Sequence, residues 1–201
     1  MTEPGLGRLR RFVVDFAALL KDDPPEVQLL DAGGGLLHAL VEKDDWLPDA
    51  CAAPSPPYAQ HLLYCDPAER FSVVSFVWSP GRATPVHNHT VWGLVGMLRG
   101  EEISQPFSLT PSGLEAGEPR RLRPGAVEAV SPRIGDIHRV VNGLADRESV
   151  SIHVYGADIG RVERSTFSAA GQARCFISGY SSPAMPNLGE PPCHDDDPGP
   201  G

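Results

Sequence analysis

The stretch Pro85-Val86-His87-Asn88-His89-Thr90-Val91-Trp92-Gly93 places two imidazoles one residue apart. Strand side chains alternate faces with period two, so on a β-strand His87 and His89 project to the same side. Two adjacent imidazoles make half of a site for a first-row transition metal, although a lone H-x-H also suits ordinary strand histidines. Further on, Ser151-Ile152-His153-Val154-Tyr155 repeats the same logic. Ser151, His153 and Tyr155 share one face of a strand, and Ile152 and Val154 the other. A polar face of this kind suits a hydrogen-bonded relay, in which Ser151 orients His153 and His153 orients or polarises the Tyr155 hydroxyl. The alternative is a strand whose polar face simply meets solvent.

The chain that must position these groups has 201 residues, 41% of them apolar and 21% charged, enough for one globular domain with a real core. Its formal net charge of -9 argues against non-specific nucleic-acid binding and against docking to anionic membranes. No segment approaches the roughly 20 apolar residues of a membrane span. The arginines before the first apolar run are followed by Asp15, Lys21, Asp22 and Asp23 and by no small-residue cleavage site, so no signal peptide is read and the cytosol is expected. Cys51, Cys65, Cys175 and Cys193 form no C-x-x-C pair and are expected as free thiols.

Leu6, Leu9, Phe12, Val13, Phe16, Leu19 and Leu20 recur at helical spacing, which predicts an amphipathic helix ended by Lys21 to Pro25. A second helix is predicted from about Glu26 to Lys43. Gly33-Gly34-Gly35 weakens it, so two shorter helices are the alternative, and His38 is read as a surface or core-edge residue. From Tyr58 the texture turns aromatic and β-branched. Strands are expected over Tyr58–Cys65, Phe71–Trp78, Thr90–Leu98, Glu102–Leu109, Gly125–Val130, Arg139–Val141 and Glu148–Tyr155. Two helices followed by many short strands imply a mainly β fold, a small barrel or double-sheet jelly roll with an N-terminal helical annex. The annex spans 1–57 and the barrel 58–180. Residues 181–201 are rich in Pro, Gly and Asp and are expected to be a disordered tail. Cys193-His194-Asp195-Asp196-Asp197 is read there as a solvated acidic end, not a second metal site.

The spacing Gly81, His87, His89, Gly93, Gly100, followed by Pro132-Arg133-Ile134-Gly135-Asp136-Ile137-His138 and Asn142, resembles the two motifs of the cupins. The resemblance implies a small barrel whose histidines hold one metal. Two departures stand out: Gly93 replaces the common glutamate ligand, and the second motif reads P-x-x-G instead of P-x-G. The implied ligand set is His87, His89 and His138, three neutral donors that leave other positions for water or substrate.

With Ser151-x-His153-x-Tyr155 added, residues 58–180 resemble the cupin thiol dioxygenases, the cysteine dioxygenase type I family, and among them the bacterial 3-mercaptopropionate dioxygenases. Gln60 stands where cysteine-specific enzymes carry a substrate-binding arginine. Arg164, eleven residues after His153, matches the arginine that the bacterial group uses for the substrate carboxylate, with Arg161 a competing candidate. Gly93 takes the place of the cysteine cross-linked to the tyrosine in animal enzymes, so no thioether is expected. The resemblance implies Fe(II) as cofactor and O2 and a small thiol carboxylate as partners. A thiolate binds such a metal well and supplies the negative charge that the missing carboxylate would have given. Tyr155 is placed to hydrogen-bond oxygen or the substrate carboxylate, and the Arg164 fork fits a carboxylate bidentately. Trp92 is read as a pocket wall or as core, and Asn88 as pointing away from the metal. The competing readings are cysteine or mercaptosuccinate as substrate, and a non-catalytic metal-binding cupin.

Overall fold

A computed structural model describes residues 6–182 and Met185. The Cys193-His194-Asp195 run and nearly all of the expected tail lie outside the described residues. Helix α1 (Leu6–Leu19) passes through a 3-10 turn at Leu20–Asp22 into α2 (Glu26–Val41). The triple glycine does not divide α2, which is one unbroken helix. Close packing explains its tolerance: a Cβ on Gly33 would lie 2.9 Å from Phe16 Cε2 and 3.1 Å from Leu94 Cδ1. The contact with α1 and the sheet below offsets what glycine costs in helix propensity. His38 is exposed, as expected, and its Nδ1–H donates to the Gly125 carbonyl at 2.8 Å.

The twelve strands are β1 (Tyr58–Cys65), β2 (Ser72–Trp78), β3 (Val86–His87), β4 (Gly93–Arg99), β5 (Glu102–Thr110), β6 (Gly113–Ala116), β7 (Arg120–Leu122), β8 (Val127–Val130), β9 (His138–Asn142), β10 (Ser149–Tyr155), β11 (Arg164–Phe167) and β12 (Ala173–Phe176). They form two sheets. One runs β1-β2-β10-β4-β8; the other runs β12-β11-β3-β9-β5-β6, with β7 also on β5. All the strand pairs are antiparallel, giving the double-sheet cupin jelly roll. The short strands β3, β6, β7, β11 and β12 escape sequence reading because two to four residues carry too little periodicity.

The first sheet is buried on both faces, which is why β2 and β10 show no exposed position. Outward residues such as Leu94, Val73, Ile152 and Val154 pack with Phe12, Phe16 and Leu37 of the helices. Inward residues Val74, Phe76, Trp78 and Tyr155 form a separate cluster inside the barrel. The alternation in β10 therefore sorts Ile152 and Val154 to the helices and Ser151, His153 and Tyr155 to the barrel interior, not to solvent. No helix among the described residues is long and apolar enough to cross a membrane, and Cys51, Cys65 and Cys175 are free thiols.

A Cβ on Gly33 must push into a buried ring, whereas one on Gly35 meets nothing within 4 Å. Gly35→Ala is expected to stabilise the fold by about 0.5–1 kcal/mol through helix propensity. Gly33→Ala is expected to destabilise it, since overpacking costs about 1–3 kcal/mol. Opposite shifts in the urea midpoints of the two variants check this.

Candidate metal centre and relay

His87, His89 and His138 meet at one point of the barrel, with one ring nitrogen from each all within 4.8 Å of one another. Their ring centroids are 4.8–5.0 Å apart. His87 and His138 arrive by register, as cross-strand partners of β3 and β9. His89 does not, and this corrects the strand argument: β3 ends at His87, and Thr90 turns the chain at φ 62°. The Asp136 carboxylate brings His89 in instead. It accepts from the backbone N–H of His89 at 3.0 and 3.1 Å and of Thr90 at 2.8 Å, and from His89 Nδ1–H at 3.0 Å.

Each imidazole is tied through Nδ1. His87 Nδ1–H donates to the Pro85 carbonyl at 3.1 Å, and His138 Nδ1 lies 3.2 Å from the Ser104 hydroxyl. That leaves Nε2 of each for a ligand. Nε2 of His89 is buried and has no hydrogen-bond partner among the described residues. Burial holds His87 down to about 4 and pulls His89 and His138 well below the usual imidazole range, so all three are neutral near pH 7. Three neutral imidazoles with occupied outer nitrogens fit a divalent first-row metal.

The relay residues form one line along β10. Ser151 Oγ lies 2.8 Å from His153 Nε2, and His153 Nδ1 lies 2.8 Å from Tyr155 Oη. Trp78 Nε1–H donates to Ser151 Oγ at 3.2 Å. Phe76 stacks on His153 with centroids 4.2 Å apart, and Tyr155 stacks on His89 at 5.2 Å. Burial pushes the Tyr155 hydroxyl up, so it keeps its proton, and it brings His153 down to about 3. Gly93 faces Tyr155 across the strand pair: a Cβ there would lie 2.8 Å from Tyr155 Cδ1.

A cavity of about 210 Å³ joins the three imidazoles, His153 and Tyr155 to Gln60 and Arg164. It is smaller than the roughly 300–1,000 Å³ of drug-sized ligand sites, so it suits a molecule of few heavy atoms. Arg164 is 4% exposed and has no carboxylate partner within 4 Å among the described residues, which excludes a surface ion pair with Glu163 or Asp158. Its Nη2–H donates to Ser178 Oγ at 2.6 Å, its guanidinium sits 4.8 Å over the Phe176 ring, and Nε has no hydrogen-bond partner among the described residues. Gln60 is also buried, and its Oε1 has no partner among the described residues.

Arg161, the rival, is on the surface and pairs with Glu69. Trp92 lies outside this cavity and stacks on Phe16 of α1 at 5.9 Å. Trp78 forms the aromatic wall in its place. Asn88 Oδ1 accepts from the Ser165 N–H at 2.8 Å, away from the histidines. Sequence reading missed Asp136, Ser104, Trp78 and Ser178. Only Asp136, two residues before His138, carried a signal. Its alanine variant leaves the His89 and Thr90 N–H groups unmatched, and the expected result is a 10- to 100-fold loss of metal affinity, roughly what removing an outer partner costs. Isothermal titration with Zn(II) or Fe(II) measures it.

Several solved structures are similar to this chain at low identity. An oxalate oxidase in complex with the substrate analogue glycolate is 20% identical, over 51% of this chain and 53% of that one, with a TM-score of 0.42. This chain thus spans about half the length of the oxalate oxidase structure it matches. A cupin-2 domain from Rhodospirillum rubrum is 15% identical over 59% of this chain and 71% of that one, with a TM-score of 0.45. A double-stranded β-helix domain protein from Klebsiella pneumoniae is 16% identical over 68% and 98%, also at 0.45. The sequence model for cysteine dioxygenase type I matches residues 58–166, more than half of the chain and the whole span from Gln60 to Arg164. The chain belongs to the cysteine dioxygenase type I family.

Proposed function

We propose that this chain is a non-haem Fe(II) thiol dioxygenase that adds O2 to the sulfur of a small mercapto acid, 3-mercaptopropionate, and releases the sulfinate. The observation that carries the reading is Arg164, a buried cation with no counter-ion among the described residues, which lines the same cavity as the three imidazoles. A buried unpaired charge is costly, and an incoming carboxylate offsets that cost. Arg164 would bind the carboxylate through its free Nε–H. Fe(II), when bound to His87, His89 and His138, supplies the open positions where thiolate and O2 meet and lowers the thiol pKa.

The reaction balances without an external reductant. The thiol gives up its proton, both oxygen atoms bond to sulfur, and sulfur supplies the four electrons that O2 takes up. Tyr155, held by His153 and Ser151, directs its hydroxyl at the reacting oxygen or the carboxylate. Phe76, Trp78 and Phe176 keep water from the rest of the cavity.

The choice of thiol follows from charge. Among the described residues no aspartate or glutamate lines the cavity, so the ammonium of cysteine would be buried there without a counter-ion, a burden that 3-mercaptopropionate avoids. One observation favours the second reading, cysteine: the unpartnered Gln60 Oε1 is an acceptor that an ammonium can use.

Anaerobically Fe(II)-loaded protein is expected to consume O2 only when a thiol is present, with the highest kcat/KM for 3-mercaptopropionate in a panel with cysteine, cysteamine and mercaptosuccinate. Arg164→Met is expected to lower that kcat/KM by roughly 100-fold while sparing cysteamine, which has no carboxylate. Tyr155→Phe is expected to lower kcat with all four. Uptake that is absent with every thiol, despite stoichiometric iron, overturns the reading; a cysteine optimum moves it to the second.

A further inference from the structure

β12 and β1 are outer strands of the two sheets, and residues 177–182 run from the end of the first to the edge of the second. This crossing is fastened twice. At β1 the Ser181 N–H donates to the Gln60 carbonyl at 2.7 Å, and the Gln60 N–H donates to Ser181 Oγ at 2.9 Å. Beside them Ser182 Oγ lies 3.0 Å from His61 Nδ1. The second fastening is in the loop after β10. There Tyr180 Oη donates to Asp158 Oδ1 at 2.5 Å and accepts from the Gly160 N–H at 2.9 Å. The Gly179 N–H donates to the Gly160 carbonyl at 3.0 Å. A Cβ on Gly160 would overlap the Tyr180 ring, so the notch exists because residue 160 is glycine. Gly179 turns the chain at φ 62°, a conformation that a side chain resists. Tyr180 thereby enters the notch while Ser178 lines the cavity.

Ser178 Oγ accepts from Arg164 Nη2–H at 2.6 Å and has no other hydrogen-bond partner among the described residues. A serine hydroxyl that accepts in this way still has a hydrogen to give. Arg164 keeps its Nε–H and the second hydrogen of Nη2. Nε with Nη2 is the pair through which Arg8, Arg70, Arg99 and Arg147 each hold an aspartate in this chain. A carboxylate seated on that pair stands beside Ser178 Oγ, because both then bond to Nη2. Residues 177–182 carry no charged side chain, so they reach the guanidinium without neutralising it.

We infer that residues 177–182 form a strap that presents Ser178 to the substrate carboxylate as a second donor beside Arg164, with Tyr180 as the positioning residue that holds the strap in place. The role of Ser178 rests on the reading of Arg164 as the carboxylate site. It sharpens selectivity, since a hydroxyl donating to a carboxylate makes a charge-assisted bond, and a thiol without a carboxylate gives it no such acceptor.

Binding is measured without turnover, in full-length protein loaded with redox-inactive Zn(II), by calorimetric titration with 3-mercaptopropionate and with cysteamine. Ser178→Ala is expected to weaken 3-mercaptopropionate roughly 10-fold, the size of one hydrogen bond to a charged group, and to leave cysteamine within about 2-fold of wild type. Tyr180→Phe loses both hydroxyl bonds to the notch and is expected to show the same preference, weakening 3-mercaptopropionate about 3- to 10-fold. Full affinity in Ser178→Ala, or equal losses for the two thiols in either variant, overturns the strap's role. Arg164→Met separates that failure from a deeper one. A loss in Arg164→Met with none in Ser178→Ala removes the strap alone, whereas 3-mercaptopropionate binding that is indifferent to Arg164→Met removes the carboxylate reading with it.

Discussion

One carboxylate determines whether the three histidines can act together. The strand that carries His87 ends there, and a turn at Thr90 would carry His89 away from the barrel mouth. Asp136 accepts two backbone N–H groups and the His89 Nδ1–H, fixing both the loop and the tautomer of the ring it presents. Asp136 lies two residues before His138, so the segment that supplies the third imidazole also anchors the second. The burial that would penalise charge on these rings keeps them neutral instead, with Nε2 lone pairs available to a cation.

Around that anchor the fold separates two environments with a single sheet. The helices cover one face of β2, β4 and β10, and the other face lines the cavity. Because β10 is buried along its whole length, its polar groups must find partners within the barrel. Ser151, His153 and Tyr155 find one another, Trp78 completes the line, and Gly93 leaves room for the Tyr155 ring. Arg164 enters from the opposite sheet, its cation steadied by Phe176 and Ser178, with no carboxylate partner among the described residues. The cavity is therefore polarised: a corner of three neutral imidazoles, a hydroxyl held by His153, and a buried positive charge.

Much of this was legible in the chain. The strand alternation of Ser151, His153 and Tyr155 identified a shared face, and the helical spacing of Leu9, Phe12, Val13 and Phe16 identified α1. Other features depended on contacts remote in sequence. The convergence of His87 and His89 was read correctly for the wrong reason, since strand periodicity does not extend to His89. The unbroken α2 depends on a tertiary contact at Gly33 that outweighs local propensity. Of the two readings of Trp92, pocket wall or core, the second holds, since it packs on Phe16 of α1, and Trp78, from a strand that reads as plain core, lines the site. Ser104 and Ser178 carry no local signal; their roles come from sheet register and the return of the C-terminal segment.

The central claim is that the three-histidine corner and Arg164 together serve the oxygenation of a mercapto acid. Turnover of 3-mercaptopropionate by the Fe(II)-loaded protein under 18O2, with mass spectrometry of the product, tests it most directly. A sulfinate in which both oxygens carry the label is expected. A disulfide formed with reduction of O2 to peroxide, or a sulfinate whose oxygens come from water, would contradict it.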